Sequence, residues 1–306
     1  MPARAWWRDF SLEGGGVRVR KTGALVPVGP GVMGEVMAWL RFHLAVETCA
    51  RHADGPAIWF SPDTPRPWYL IHPVLRLAGL RCAARPETAD LGFAFEDAAL
   101  SATEPHPGLP TINARCRDVS KSHVAAVFEQ VTGRPLALDP ARHDGAMVVK
   151  SERNGVHDGR ILTGPQPAEP GLAYQRLIET VACDGLVEDL RCPTVGGDVP
   201  VVFLKRRPLQ ARFANTNAEV RRLAPQDVFS PEERAMISTF CAAMNLDWGG
   251  LDILRDRRDG RLWIVDVNKT DMGPPTALPL DEKLAAARTL ALAFRAYADR
   301  LAGETR

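Results

Sequence analysis

The 306 residues hold only six cysteines, Cys49, Cys82, Cys116, Cys183, Cys192 and Cys241, and no two stand in a CxxC spacing. That excludes the closely spaced thiols of a structural zinc site and gives no disulfide framework. No stretch of eighteen or more apolar residues occurs, so no membrane-spanning helix is expected. The opening MPARAWWRDFSLEGGG lacks the apolar segment of a secretory signal, which makes the cytoplasm the expected location. With 38 basic against 37 acidic residues the formal charge is +1, so no overall field draws the chain to nucleic acid or to a membrane. There is neither an internal repeat nor a low-complexity tract. What remains is 45% hydrophobic and 25% charged, an ordinary globular balance, in a chain long enough for two or three domains.

Local patterns divide the chain. Residues 31 to 51 carry Val36, Leu40 and Leu44 at helical spacing, which predicts a long helix partly in the core. PAIWF (56–60) and LGFAFE (91–96) read as strands. The helical stretch 68 to 80 lies between them, with Pro73 as a kink or break. Strand and helix in alternation suggest a small α/β domain with a parallel sheet, ending near PHPGLP (105–110). SKSHVAAVFEQVTG (120–133) predicts a helix capped by Ser120 and stopped by Gly133, with Lys121 in its first turn. AMVVK (146–150) is a strand that ends in Lys150 and enters a glycine-containing loop. Such a loop can cradle phosphates or be a plain hairpin turn. LAYQRLIET (172–180) reads as a strand, and residues 195 to 202 as a hairpin around Gly196-Gly197. Lys205, Arg206, Arg207 and Arg212 form a short basic cluster suited to a small anion or to a solvated face. Residues 231 to 244 and 280 to 301 read as helices.

The stretch 247 to 274, DWGGLDILRDRRDGRLWIVDVNKTDMGP, carries the clearest chemistry. Two apolar runs joined by Asp259-Gly260 predict a hairpin. Asp252 lies in the first strand, and Asp266 and Asn268 lie two apart in the second, on one face. Two carboxylates and an amide make an all-oxygen set of the kind magnesium takes with waters and phosphates. A solvated hairpin face is the plain alternative. Against it, Asp266 interrupts the apolar run WIVDV, where an unpaired carboxylate would cost several kcal/mol.

Taken together these segments resemble the ATP-grasp superfamily of carboxylate–amine ligases, the type that includes D-alanine–D-alanine ligase, glutathione synthetase and the enzymes that modify ribosomal protein S6. The resemblance covers roughly Ser120 to Gly273. It implies an α/β fold in which a small N-terminal α/β domain (1–115) precedes an ATP-grasp domain (116–306). That domain would divide into a lysine and phosphate-loop part (116–180) and a metal-binding part (181–306), two α+β subdomains with ATP between them. It further implies ATP held by Lys121, Lys150, the loop residues Ser151, Gly155 and Gly159, the hinge Gln175, Arg176, Leu177, Ile178 and Glu179, and Asp189. Mg2+, with Mn2+ as an alternative, would be held by Asp252, Asp266 and Asn268. The family's second metal ligand is usually glutamate, where this chain has Asp266. Its usual arginine two residues before the first metal aspartate is replaced by Gly250, which leaves Arg191, Arg206, Arg207 and Arg212 as candidates to neutralise the oxyanion.

The implied reaction uses ATP to convert a small-molecule carboxylate to an acyl phosphate, which an amine then attacks. Nucleic acid and membrane are not expected partners, and a homodimer is consistent with the family. An ATP-grasp kinase acting on a hydroxyl, a non-catalytic ATP-binding protein and a scaffold with a decorative hairpin are the competing readings.

Overall fold

The computed structural model describes residues 10–19, 25–27, 29–153, 158–214 and 217–304. Trp6 and Trp7, the loop residues Gly155 and His157, and Asn215 lie outside them. The described residues form a mixed α/β fold with four sheets. An antiparallel meander comes first, β1 (Phe10–Glu13), β2 (Gly16–Val19) and β3 (Leu25–Pro27). After α1 (Pro30–Thr48) follow β4 (Ala57–Pro62), α2 (Ile71–Ala78), β5 (Arg81–Cys82), β6 (Leu91–Phe95) and β7 (Thr111–Ile112), whose strands make a parallel sheet in the order β5-β4-β6-β7. Pro73 sits in the first turn of α2, where no helical N–H is needed, so it neither kinks nor ends the helix.

The expected stripe on α1 faces the wrong way. Val36, Leu40 and Leu44 are 44%, 46% and 68% exposed, and the helix buries Phe42 and Val46 instead. Two neighbouring stripes of this helix are apolar, and periodicity alone does not say which one meets the sheet.

Helix α3 (Lys121–Thr132) has Ser120 as its N-cap, accepting from His123 N at 3.4 Å, and Gly133 in the left-handed conformation that ends it. Next come β8 (Gly145–Ser151), β9 (Arg160–Gly164) and β10 (Leu172–Arg176), an antiparallel sheet in the order β10-β8-β9. The strand expected through Thr180 stops at Arg176, and residues 177–180 run on without sheet partners of their own. The largest sheet is antiparallel, in the order β13-β12-β11-β14-β15, from β11 (Leu186–Val195), β12 (Val202–Pro208), β13 (Glu219–Leu223), β14 (Trp248–Arg255) and β15 (Leu262–Asn268). Between β13 and β14 lie α4 (Pro225–Val228) and α5 (Pro231–Ala243), the latter started by a capping box of Ser230 and Glu233. The β14–β15 connection is longer than a two-residue turn: Asp256 N donates to Arg261 O, and Gly260 N to Asp256 O.

Two cores result. One joins the parallel sheet (Ile58, Phe93, Phe95) and α2 to Leu290, Phe294 and Ala298 of the closing helix α6 (Leu280–Gly303). The other packs Val124 and Phe128 of α3 and Ile237 and Phe240 of α5 on one face of the five-stranded sheet, through Cys192, Leu251, Ile253 and Val267. Burying each of these large side chains is worth about 1.5–3 kcal/mol, so this face is fixed by packing. On the opposite face Val195, Phe203 and Trp248 pack into the first core, and the part left uncovered carries polar residues.

Candidate functional site

Register decides which residues share the uncovered face. Asp252 pairs with Asp266, Gly250 with Asn268, Arg191 with Asp252 and Asp189 with Lys205. A bulge in β15 sets the first pair. Ile253 pairs with Ile264, and Val265 is the extra residue, so Ile264 faces the core while Asp266 faces Asp252. Bulges of this kind re-aim side chains beside functional sites. The uncovered face therefore carries Asp189, Arg191, Lys205, Arg207, Asp252, Asp266 and Asn268.

Lys121 and Lys150 meet this face from the other side. Lys121 is buried, with Nζ 3.8 Å from Asp266 Oδ1 and 3.4 Å from Arg153 O. Lys150 shares a face of its small sheet with Gln175, since Ala173 pairs with Lys150 and Gln175 with Val148. Burial lowers the Lys150 pKa, while Asp266 and Asp252 oppose the shift and Lys121 adds to it. It makes no ion pair among the described residues. Asp252 accepts from Arg191 Nη1 at 2.9 Å. Burial pushes its carboxyl up, but Arg191, then Lys205 and Lys150, outweigh that and hold it well below the ordinary carboxylate range. Burial raises Asp189 against the pull of Lys205 and Arg207.

The phosphate-loop residues have definite anchors. Ser151 N donates to Asp158 Oδ1 at 3.0 Å, closing the base of the loop. The Glu152 carboxylate accepts from Lys121 N at 2.8 Å, from Ser122 N at 3.2 Å and from the Ser122 hydroxyl, so it caps the start of α3. Gly159 lies against Phe213: a Cβ there would sit 2.6 Å from the ring. In the segment expected to meet adenine, Gln175 is buried with Nε2 3.5 Å from Val265 O, and Ile178 is a core residue. Leu177 and Glu179 are half-buried, and Arg176 is exposed, its guanidinium 5.6 Å from the Trp263 ring centre.

Of the four candidate arginines, Arg191 pairs with Asp252, and Arg207 pairs with Asp189 on the same face. Arg206 is not brought there: alternation along β12 turns it to the opposite face, where its Nη1, Nη2 and Nε donate to Glu219, Asp184 and Glu188 at 2.7, 2.6 and 3.1 Å. Arg212 lies at the rim, 4.0 Å from Glu179, its pKa lowered by burial. The position of Gly250 explains the missing arginine of the hairpin. A Cβ there would meet Asp271 Oδ2 at 2.4 Å and Arg191 Nε at 2.8 Å, so the Arg191–Asp271 pair fills that space. Lys205, Glu152 and Asp271 were not among the site residues expected from the sequence. Alternation separates Lys205 and Arg207 from Arg206, but only the pairing with β11 reveals which face matters.

Among the described residues no three His, Cys, Asp or Glu side chains converge as a metal site. Asp252 and Asp266 are two carboxylates facing one another, a partial oxygen shell that suits a hard cation completed by phosphate and water. Asn268 fits less directly, because its Oδ1 accepts from Thr270 N at 2.9 Å and lies 3.1 Å from Thr270 Oγ1, whose one proton is shared with Asp97 Oδ1, also at 3.1 Å. No described helix is long and apolar enough to cross a membrane.

No family model and no curated protein matches the chain. Among solved structures it is similar to the ATP-grasp ligase PsnB complexed with a minimal precursor, at 16% identity and a TM-score of 0.43 over 62% of this chain. The match spans 64% of PsnB, less than two thirds of its length. It is also similar to D-alanine–D-alanine ligase from Bacillus anthracis (12% identity, TM-score 0.47, 82% of this chain and 98% of that one) and to the macrocyclase MdnC from Microcystis aeruginosa (14%, 0.33, 56% and 59%). Likeness at this level says nothing of activity, which has to be read from the side chains above. The chain is a mixed α/β protein.

Proposed function

We propose that the chain is an ATP-dependent ligase that activates a carboxylate as an acyl phosphate and joins it to an amine. The observation that carries the reading is the meeting of Lys121 and Lys150 with the facing carboxylates Asp252 and Asp266. Cations beside carboxylates match a nucleotide's phosphates and the cation that travels with them. Phosphoryl transfer is catalysed mainly by such positioning and charge neutralisation. Bound magnesium would supply charge neutralisation at the β- and γ-phosphates, held by Asp252 and Asp266. Lys121 and Lys150 hold phosphate oxygens. Arg191, fixed beside Asp252, neutralises charge on the carboxylate being activated. The loop after Ser151, anchored at its base by Asp158 and Phe213, keeps water from the acyl phosphate. Gln175 to Glu179 take the adenosine end, with Asp189 beside it.

The test is ADP release by the full chain with Mg–ATP across a panel of amino-acid-sized and peptide carboxylates, each with and without amines. Hydroxylamine separates the chemistries, since it traps an acyl phosphate but not a phosphoester. Carboxylate-dependent hydroxamate supports the ligase. ADP release without hydroxamate would turn the reading to a kinase, and no nucleotide binding at all would end it.

A further inference from the structure

Asp271 is 3% exposed, yet it is a carboxylate in the turn that follows the cation strand. Its Oδ1 accepts twice from Arg191, from Nε at 3.1 Å and Nη2 at 2.6 Å. Arg191 has one remaining direction, and its Nη1 donates to Asp252 Oδ1 at 2.9 Å. No described group donates to the other oxygen of Asp252. Asp271 Oδ2 is buried without a partner and rests over Gly250, the one residue that leaves room for it. The backbone is pinned as well: Leu70 N donates to Asp271 O at 2.9 Å, and Thr270 Oγ1 donates to Asp97 Oδ1 at 3.1 Å, which ties the turn to the N-terminal part of the chain.

One guanidinium is thus shared by two carboxylates, with unequal shares. Asp271 takes the bidentate side and Asp252 takes a single bond. A guanidinium prefers to fork onto a carboxylate with two parallel bonds. Without Asp271's charge, Arg191 would fork onto Asp252 and cover the oxygen that is now open. Its full positive charge would also fall on the carboxylates that face the cation. Resting on the nucleotide–cation reading above, we infer that Asp271 is a positioning residue. It holds Arg191 to one oxygen of Asp252 and offsets part of its charge, so that Asp252 stays a competent cation ligand. Partners just outside a metal shell typically matter about 10- to 100-fold in metal affinity.

The experiment is a thermal melt of the full chain with a fixed concentration of a non-hydrolysable ATP analogue while Mg2+ is titrated. Asp271→Asn keeps the shape and removes the charge. Its Mg2+ midpoint is expected to rise about 10- to 100-fold, with the metal-free shift by the analogue unchanged. Gly250→Ala pushes on the same pair from beneath and is expected to raise the midpoint too, so it decides the matter if Asp271→Asn does not fold. Because Asp271 acts through Arg191, adding Asp271→Asn to Arg191→Gln should raise the midpoint no further. A folded Asp271→Asn with the original chain's midpoint, or an additive double variant, overturns the inference and leaves the nucleotide site standing. A Mg2+-independent original chain overturns both.

Discussion

Arg206 and Arg207 are neighbours in sequence and opposites in setting. Arg206 spends Nε, Nη1 and Nη2 on Glu188, Glu219 and Asp184, and Arg257 adds a second bond to Glu188 at 2.5 Å. That network is complete. On the other face Arg207 donates to Asp189 and to the carbonyls of Arg212 and Ala214, but its Nε has no partner. Asp189 Oδ1 and Arg212 Nε are likewise buried and unpartnered. Buried polar atoms left without a partner cost about 1–3 kcal/mol each, so a cluster of them marks a place where water or ligand completes the bonding. Charge density is similar on the two faces. What separates a structural network from a binding surface here is whether its donors and acceptors already close on one another.

The contrast is sharpest at the cation strand. Asp266→Asn removes one charge from the proposed cation site without changing shape; Asp266 accepts from Val267 N at 3.1 Å and lies 3.8 Å from Lys121 Nζ. Turnover is expected to fall by at least about a hundredfold with the melting temperature nearly unchanged, since groups that stabilise charge only in the transition state are worth that much. Normal turnover at saturating Mg–ATP would remove the carboxylate from the site. Next in size is Lys150→Ala. Losing a charge-assisted phosphate contact should weaken analogue binding by roughly 10- to 100-fold. Because the lysine is half-buried and makes no ion pair among the described residues, its removal should not destabilise the chain. Equal affinity in a direct titration would assign Lys150 to the same class as Arg206.

Third comes Gly159→Ala. Its Cβ would stand 2.6 Å from the Phe213 ring, so the loop base or the ring must move, at an expected cost of about 1–3 kcal/mol. Nucleotide affinity should drop with it, while Gly133→Ala, whose Cβ meets nothing within 4 Å, strains only its own backbone, with φ +69, and should leave affinity intact. Chemical denaturation and analogue titration on both variants check this.

Much of this was legible in the chain itself. Caps and stops at Ser120 and Gly133, the parallel alternation of 56 to 96, and the hairpin carrying Asp252 and Asp266 all rest on local signals, and local signals survive folding. What was hidden depended on pairing. The choice among Arg191, Arg206, Arg207 and Arg212 needs the register of β11 with β12 and β14, which no periodicity contains. The inward face of α1 needs to know which of two apolar stripes meets the sheet. The reason for Gly250 lies 21 residues downstream, at Asp271, and shows only when the turn is folded back over β14. The bulge at Val265 is a similar case: WIVDV reads as a plain run until its partner strand fixes where the extra residue goes.

The smallest effect should come from Arg206→Ala, and it is the one that tests the comparison itself. Its ion pairs lie among partly exposed carboxylates, where each pair is screened and offset by the order it imposes on two long side chains. A melting shift of about 2 °C or less is expected, shrinking further as salt rises. Turnover and nucleotide affinity should be unchanged, because Arg206 shares no face with Asp252. Arg207→Ala, one residue along, removes the group that holds Asp189 and the 212–214 carbonyls, and it should lower nucleotide affinity even where its stability loss is modest. If the two variants behaved alike, closure of the hydrogen bonds would not be what distinguishes the faces, and Asp189 would return to being one more paired surface carboxylate.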